Sequence, residues 1–210
     1  MRVLITAGGT REDIDPVRGI TNYATGRLGC LIADEFIKAG AQATYICSET
    51  AAKPENAENC RITTIRNTMQ LMNAMESELK STQFNAVIHS MAVSDYAPQN
   101  TSDKKISSSS PYIVVVLKKL PKVINIVKKL QPEALLIGFK LTSGADETEL
   151  ISAAKKLIID SGADYVLANR AEDIYGDTHK AVLLGKNETT IRGSTKRKIA
   201  EIIRKVVCGG

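Results

Sequence analysis

The chain of 210 residues is 43% hydrophobic and 24% charged, which is typical of one large globular domain and excludes a low-complexity chain. Its net charge of +5 comes from scattered basic residues without interleaved aromatic side chains, so we expect small anionic ligands rather than nucleic acid. There is no apolar run of about 18 residues and no signal-peptide pattern, which predicts a cytoplasmic protein without a membrane segment.

Short β-branched runs alternate with segments of helical period in the first half of the chain. "RVLITAG" at residues 2–8 and "ATYICS" at 43–48 predict strands. Between them, "GRLGCLIADEFIKAG" predicts an amphipathic helix that ends at Gly40. Together the three segments form a βαβ unit.

The alternation continues through the second half. Helices are predicted over residues 67–81, 120–130, 146–162 and 194–207, the last with Ser194 as its N-cap. Buried strands are predicted over 85–93, 134–141 and 164–169. This order favours an α/β fold with a Rossmann-like, mostly parallel sheet and helices on both faces. Ligands of such sheets bind at the carboxyl edge of the strands.

Two segments interrupt the alternation. Residues 97–117 begin as a polar loop and end in a β-branched strand, and residues 180–192 predict a hairpin with its turn at 186–188. We expect 100–117 and 180–192 to form an antiparallel extension of the main sheet. Because exposed strand edges tend to pair, a second subunit is the expected cover, and the chain is predicted to be a homodimer.

The first predicted strand leads into the segment "TAGGTREDIDPVRGITNYATGRLG" at residues 6–29. Gly8, Gly9 and Thr10 begin a loop that ends at a helix, and such loops bring backbone N–H groups close to an anion. A phosphate site is therefore expected, although a tight turn would need the same glycines. The spacing matches neither G-x-G-x-x-G nor a P-loop.

This segment closely resembles the N-terminal signature of the phosphopantothenoylcysteine synthetases, the phosphopantothenate–cysteine ligases. Five further blocks follow in the order of that family: "MAVSDYAP" (91–98), "KKI" (104–106), "LKKLP" (117–121), "GFKL" (138–141) and "VLANR" (166–170). The resemblance implies a single nucleotide-binding ligase domain over residues 1–210, in which 100–117 and 180–192 serve dimerisation.

The resemblance also implies an activity in coenzyme A biosynthesis. Members of the family join 4′-phosphopantothenate to L-cysteine, usually at the expense of CTP with Mg²⁺. An acyl-cytidylate forms first with release of pyrophosphate, and the amine of cysteine then displaces CMP. Because the first predicted strand begins almost at Met1, we expect the single-activity form, with a separate decarboxylase acting on the product.

The family motifs assign nucleotide contacts to particular residues. Gly8, Gly9 and Thr10 correspond to the phosphate loop, and the backbone of Ala92 and Val93 can meet a base edge. Three further residues belong to the same expected site: Asp95 for the ribose hydroxyls, Phe139 beside the nucleotide, and Lys140 for added charge. Asp95 could instead cap a turn or a helix, and Phe139 could instead be a residue of the hydrophobic core.

The resemblance assigns catalysis to Lys105 and Asn22. Lys105 matches the lysine that neutralises the triphosphate, with Lys104 as a substitute because the family's lysine block is incomplete here. The Asn22 amide can donate a hydrogen bond to the acyl carbonyl, although a turn residue would also suit this position. The resemblance assigns no metal ligands.

Arg18 and Thr25 are the expected substrate contacts. Arg18 suits the phosphate of 4′-phosphopantothenate, in competition with an ion pair to Asp15. Thr25 must supply the hydroxyl contact, because Ala24 replaces a serine of the family.

The alternative function is that of a short-chain-type NAD(P)-dependent dehydrogenase, which also begins with a strand, a glycine loop and a helix. Such an enzyme needs a Tyr-x-x-x-Lys pair for proton transfer. None of the six tyrosines is followed four residues later by lysine, so the ligase is favoured.

Overall fold

The computed structural model describes residues 1–55 and 58–209. Its strands in chain order are β1 (Arg2–Ala7), β2 (Arg11–Asp13), β3 (Gly19–Thr21), β4 (Gln42–Ser48), β5 (Cys60–Ile65), β6 (Ala86–His89), β7 (Tyr96–Pro98), β8 (Leu117–Lys119), β9 (Leu135–Thr142), β10 (Tyr165–Tyr175), β11 (Thr178–Gly185) and β12 (Thr190–Thr195). The helices are α1 (Arg27–Lys38), α2 (Thr68–Ser81), α3 (Asn125–Leu130), α4 (Glu147–Ser161) and α5 (Lys196–Cys208). Within the described ranges, none of them is long and apolar enough to span a membrane.

Eight of these strands form the main sheet, in the order β12-β11-β10-β9-β6-β1-β4-β5. Pairing is parallel from β10 through β9, β6, β1 and β4 to β5, and antiparallel where β11 and β12 are added. The predicted Rossmann-like α/β fold is therefore confirmed, and so is the hairpin at 180–192 as its antiparallel extension.

Helices cover both faces of the sheet and enclose two cores. On one face α1 and α5 pack together and bury Phe36 and Ile203. On the other face α2, α3 and α4 bury Leu71, Met75 and Val127. Each of the parallel strands β1, β6 and β9 contributes side chains to both cores, which explains why their sequences are continuously apolar.

Some predicted elements differ from the structure at their ends. Gly40 follows α1 with φ of 79°, a conformation that glycine adopts without strain, so the predicted stop is confirmed. The predicted cap of the last helix is wrong, because Thr195 rather than Ser194 accepts the Lys198 N–H, at 3.2 Å. The helix expected over 120–130 begins only at Asn125.

The segment 97–117 does not extend the main sheet, contrary to expectation. Its end joins β8, which pairs antiparallel with β7 in a separate two-stranded ribbon. The antiparallel position beside β10 is taken by β11, the run 112–116 forms no strand, and Tyr112 and Val114 remain exposed. The sequence pattern does not predict β5, and it predicts a loop where the structure has the small β2–β3 ribbon.

Candidate functional site at the topological switch point

The candidate site lies outside the carboxyl ends of the paired strands β1 and β6, where open α/β sheets have their ligand crevice. From β1 the chain moves outward to β4 and β5, then returns to β6 on the opposite side of β1, and ligands of open α/β sheets bind where the order reverses in this way. Two loops meet there. Gly9 and Ala92 form an isolated parallel bridge, in which Thr10 N donates to Ala92 O at 3.1 Å and Ala92 N donates to Gly8 O at 2.8 Å.

Thr10 locks these two loops together. Its side chain is fully buried, and its hydroxyl donates to Ser94 Oγ at 3.1 Å while accepting the Ser94 N–H at 2.9 Å. The Thr68 hydroxyl, at the start of α2, lies 3.3 Å from the same oxygen. The Thr10 side chain is thus occupied by protein partners, so its part in nucleotide binding would be to position the loops.

The glycines of the loop are required by contacts within the protein itself. Gly8 has φ of 88°, and a Cβ there would overlap the Ser48 hydroxyl and lie 2.8 Å from Ala51 Cβ. A Cβ on Gly9 would lie 2.9 Å from Asn22 O. The close approach of these segments therefore explains both glycines, whether or not a phosphate also approaches.

Asn22 lies at the mouth of the crevice. Its Nδ2 donates to Ala92 O at 3.3 Å, and the preceding Thr21 hydroxyl donates to Thr10 O at 2.9 Å. Thr25 is nearby in the chain, and its hydroxyl accepts the Arg27 N–H at 3.4 Å where α1 begins. The structure therefore brings together Asn22, Gly9, Thr10 and Ala92, which the sequence had assigned to one site.

A small cavity of about 140 Å³ opens beside the crevice and is lined by Val93, Asp95 and Phe139. The N–H and C=O groups of Ala92 are both already hydrogen-bonded within the protein. Of the two residues expected to contact the edge of the nucleotide base, only Val93 can therefore do so through its backbone. Lys140 does not line the cavity; it pairs in register with Ala168 of β10.

Sequence reasoning missed Lys122, which also lines this cavity. Its Nζ lies 2.5 Å from Asp95 Oδ1, and both side chains are about half exposed. The residue directly follows the "LKKLP" block, but no local pattern indicates that it reaches Asp95, which is 27 positions earlier.

Arg18 and Lys105, which the sequence assigned to substrate binding and catalysis, lie at the tip of the β2–β3 ribbon and not beside the cavity. Arg18 Nη1 lies 3.6 Å from Asp15 Oδ2, so the competing ion pair forms. Arg18 Nη2 donates to Ile106 O at 3.1 Å, which brings the neighbouring Lys105 to this tip. Lys104 and Lys105 are exposed and do not line the cavity with Asp95.

The carboxylate of Asp15 is buried at this tip. Burial acts to raise its pKa, but the N–H groups of Val17, Ile106 and Arg18, with the charge of the Arg18 guanidinium, outweigh burial and hold the pKa below its usual value. Asp15 is therefore ionised at neutral pH.

The two histidines match no family block and are buried. His89 Nδ1 lies 2.9 Å from the Thr6 hydroxyl, and burial lowers its pKa to about 4. Burial likewise lowers the pKa of His179 to about 4. Both are neutral at pH 7. Among residues 1–55 and 58–209, no group of three or more His, Cys, Asp or Glu side chains is placed to hold a metal ion.

The fold and the site together define a doubly wound α/β domain in which the polar loops after β1 and β6 meet at the topological switch point. Residues 1–209 match the family model of the DNA/pantothenate metabolism flavoprotein C-terminal domain, and the chain belongs to that family. Membership confirms the resemblance that the sequence motifs indicated and disfavours the short-chain dehydrogenase.

Individual relatives agree with the family assignment. The chain is 41% identical over 202 residues to the coenzyme A biosynthesis bifunctional protein CoaBC of Thermococcus kodakarensis, covering 95% of this chain and 49% of that protein. It thus spans about half the length of the curated relatives it matches.

Solved structures are similar over the whole chain. The DNA/pantothenate metabolism flavoprotein from Streptococcus pneumoniae aligns with a TM-score of 0.91 and 37% identity, covering 100% of this chain and 99% of that one. The C-terminal domain of a CoaBC protein aligns with a TM-score of 0.79 and 26% identity, covering 99% and 94%.

Proposed function

We propose that this protein is a phosphopantothenate–cysteine ligase, which joins 4′-phosphopantothenate to L-cysteine through an acyl-cytidylate at the expense of CTP. The observation that carries the proposal is the meeting of two family blocks at the switch point, where Asn22 Nδ2 bonds Ala92 O. Family membership and the 41% identity to a coenzyme A biosynthesis protein support the same activity.

In the first step, the nucleotide would lie across the carboxyl ends of β1 and β6. Val93 and Phe139 line a cavity of about 140 Å³, a volume suited to a base rather than a whole nucleoside triphosphate. Asp95 at its mouth would accept hydrogen bonds from the ribose, and the sugar and phosphates would extend outward along the crevice.

Activation requires cations opposite the phosphates, because negative charge grows on the departing pyrophosphate. Lys105 is proposed to supply one of them, and Lys122 lies beside Asp95 where it could supply another. Lys105 is exposed in the ligand-free protein, so its long side chain can extend towards a bound triphosphate while the backbone of its loop stays in place.

In the second step, the amine of cysteine attacks the acyl carbonyl and CMP leaves. The carbonyl oxygen becomes more negative during the attack, so a fixed N–H donor lowers the barrier. Asn22 is proposed as that donor, because its amide lies exposed at the mouth while Ala92 O holds its orientation.

Magnesium is proposed to enter with the nucleotide. In the described part of the chain no three-ligand cluster is available, and Mg²⁺ is commonly held by one or two carboxylates together with substrate phosphates. Asp95 is the carboxylate nearest to the cavity, so it is the residue that could contribute to such a site.

A homodimer belongs to the same proposal. Tyr112, Val114 and Val116 are exposed in succession next to β8, and the cover expected for them is a second subunit. Light scattering that shows a stable, active monomer would contradict this part without affecting the ligase reaction.

The decisive experiment measures pyrophosphate release with each of the four nucleoside triphosphates. We expect release with CTP that requires 4′-phosphopantothenate but not cysteine, whereas CMP release requires both. Pyrophosphate release from CTP alone, or none with any triphosphate, would refute the proposed function. A preference for ATP over CTP would leave the proposed ligase reaction standing and would change only the nucleotide that drives it.

A further inference from the structure

The loop that carries Lys104 and Lys105 is tied to the tip of the β2–β3 ribbon on both sides of the two lysines. Before them, the Ser102 N–H donates to Ile14 O at 3.0 Å. After them, the Ile106 N–H donates to Asp15 Oδ2 at 3.1 Å. Only residues 103–105 lie between the two anchors, so the position of Asp15 constrains where the lysines can lie.

The Asp15 side chain is built into the ribbon rather than exposed to solvent. It has no exposed surface, and its Oδ1 accepts the N–H groups of Val17 at 2.9 Å and Arg18 at 2.8 Å. Its Oδ2 is the atom that holds Ile106. Hydrogen bonds to an ionised acceptor are stronger than those to a neutral one, so the Asp15 carboxylate holds the Ile106 backbone strongly.

Arg18 completes a clamp on the Ile106 peptide. Asp15 accepts the Ile106 N–H, while Arg18 Nη2 donates to the Ile106 carbonyl at 3.1 Å. The guanidinium also pairs with Asp15, at 3.6 Å between Nη1 and Oδ2. One buried acid and one half-buried base therefore hold both polar groups of a single residue in the loop.

We propose that Asp15, together with Arg18, is a positioning element that holds the 102–106 loop so that Lys105 can meet the triphosphate. The role of Lys105 in this statement rests on the proposed function, whereas the anchoring of the loop does not. Arg18 then acts through Ile106, and the phosphate contact expected from the sequence is not needed to explain it.

Limited proteolysis tests the anchoring without any assay of activity. Asp15→Asn keeps the shape of the side chain but removes its charge, so cleavage by trypsin after Lys104 and Lys105 should accelerate on the order of tenfold as the loop opens more often. Mass spectrometry of the first fragments identifies the cut. The same cleavage rate as in the unsubstituted protein would overturn the proposal.

Asp13→Asn is the matched control, because Asp13 belongs to the same ribbon but pairs with Arg11 and Arg66, both at 3.1 Å. Its loop cleavage should match that of the unsubstituted protein, and equal acceleration in both variants would refute a specific role for Asp15. Should Asp15→Asn fail to fold, Arg18→Lys removes the bond to the Ile106 carbonyl and leaves the buried carboxylate. It should accelerate cleavage by a smaller factor, and unchanged cleavage would contradict the clamp.

An assay of pyrophosphate release tests whether the contact between Asp15 and the loop affects Lys105. Asp15→Asn should slow release severalfold in the otherwise unsubstituted protein but add little to Lys105→Ala, because both changes affect the same contact. Independent, multiplying losses would overturn the positioning role. Absence of pyrophosphate release in the unsubstituted protein would instead refute the proposed function, while proteolysis would still decide whether Asp15 anchors the loop.

Discussion

Replacing Gly8 by alanine tests whether the glycine loop is shaped by the protein's own packing. The residue has φ of 88°, and an added Cβ would overlap the Ser48 hydroxyl and lie 2.8 Å from Ala51 Cβ. The left-handed conformation costs about 1–2 kcal/mol for a residue with a Cβ, and overpacking a rigid site adds about 1–3 kcal/mol. We therefore expect Gly8→Ala to lower the free energy of unfolding by about 2–5 kcal/mol.

Gly40→Ala separates the two contributions. Gly40 has a similar φ of 79°, but a Cβ there would have no atom within 4 Å, so only the backbone term of about 1–2 kcal/mol applies. Urea unfolding of both variants gives the difference directly, provided that the transitions are two-state. Adding Ser48→Ala to Gly8→Ala should recover part of the loss. Equal losses in Gly8→Ala and Gly40→Ala would refute the packing argument.

Other substitutions test the site. Thr10→Val leaves the partners of a buried hydroxyl without their hydrogen bonds and should cost about 2–4 kcal/mol in urea unfolding, whereas a cost below 1 would contradict the locking role. Asn22→Asp should slow the attack by cysteine more than activation, so rapid quench with labelled CTP should show accumulated acyl-cytidylate; unchanged turnover would mark Asn22 as a turn residue. Lys105→Ala should slow pyrophosphate release on the order of 10²-fold, with Lys205→Ala in the last helix as the unaffected control. A near-normal rate for Lys105→Ala would transfer the role to another lysine. Because burial lowers the pKa of His89 from 6.5 to about 4, the unfolded chain binds an extra proton between these values, and the part of the stability due to His89 should fall by about 3 kcal/mol as pH decreases through that window. His89→Asn should reduce the pH dependence in urea titrations without abolishing it, because the pKa of His179 is lowered in the same way; an unchanged slope would contradict the low pKa of His89.

The elements that the sequence predicted well are those with a strong local signal. The amphipathic period of α1 and the continuous apolar runs of β1 and β9 specify helix and buried strand regardless of partner. The strand β5 was missed because "CRITTI" mixes polar and apolar residues at the sheet edge, where only one neighbour, β4, supports it. The run at 112–117 shows the opposite error, since β propensity predicts a strand but not which edge is free to receive it.

For the site, the sequence by itself determined which residues are candidates, because the family motifs are specific in residue type and order. It also determined that the loops after β1 and β6 share one edge of a parallel sheet. Only the tertiary structure decided that Asn22 bonds Ala92, that Lys122 pairs with Asp95, and that Arg18 holds Ile106. These contacts join residues between 27 and 88 positions apart, and such pairings depend on strand order and loop path rather than on any local period.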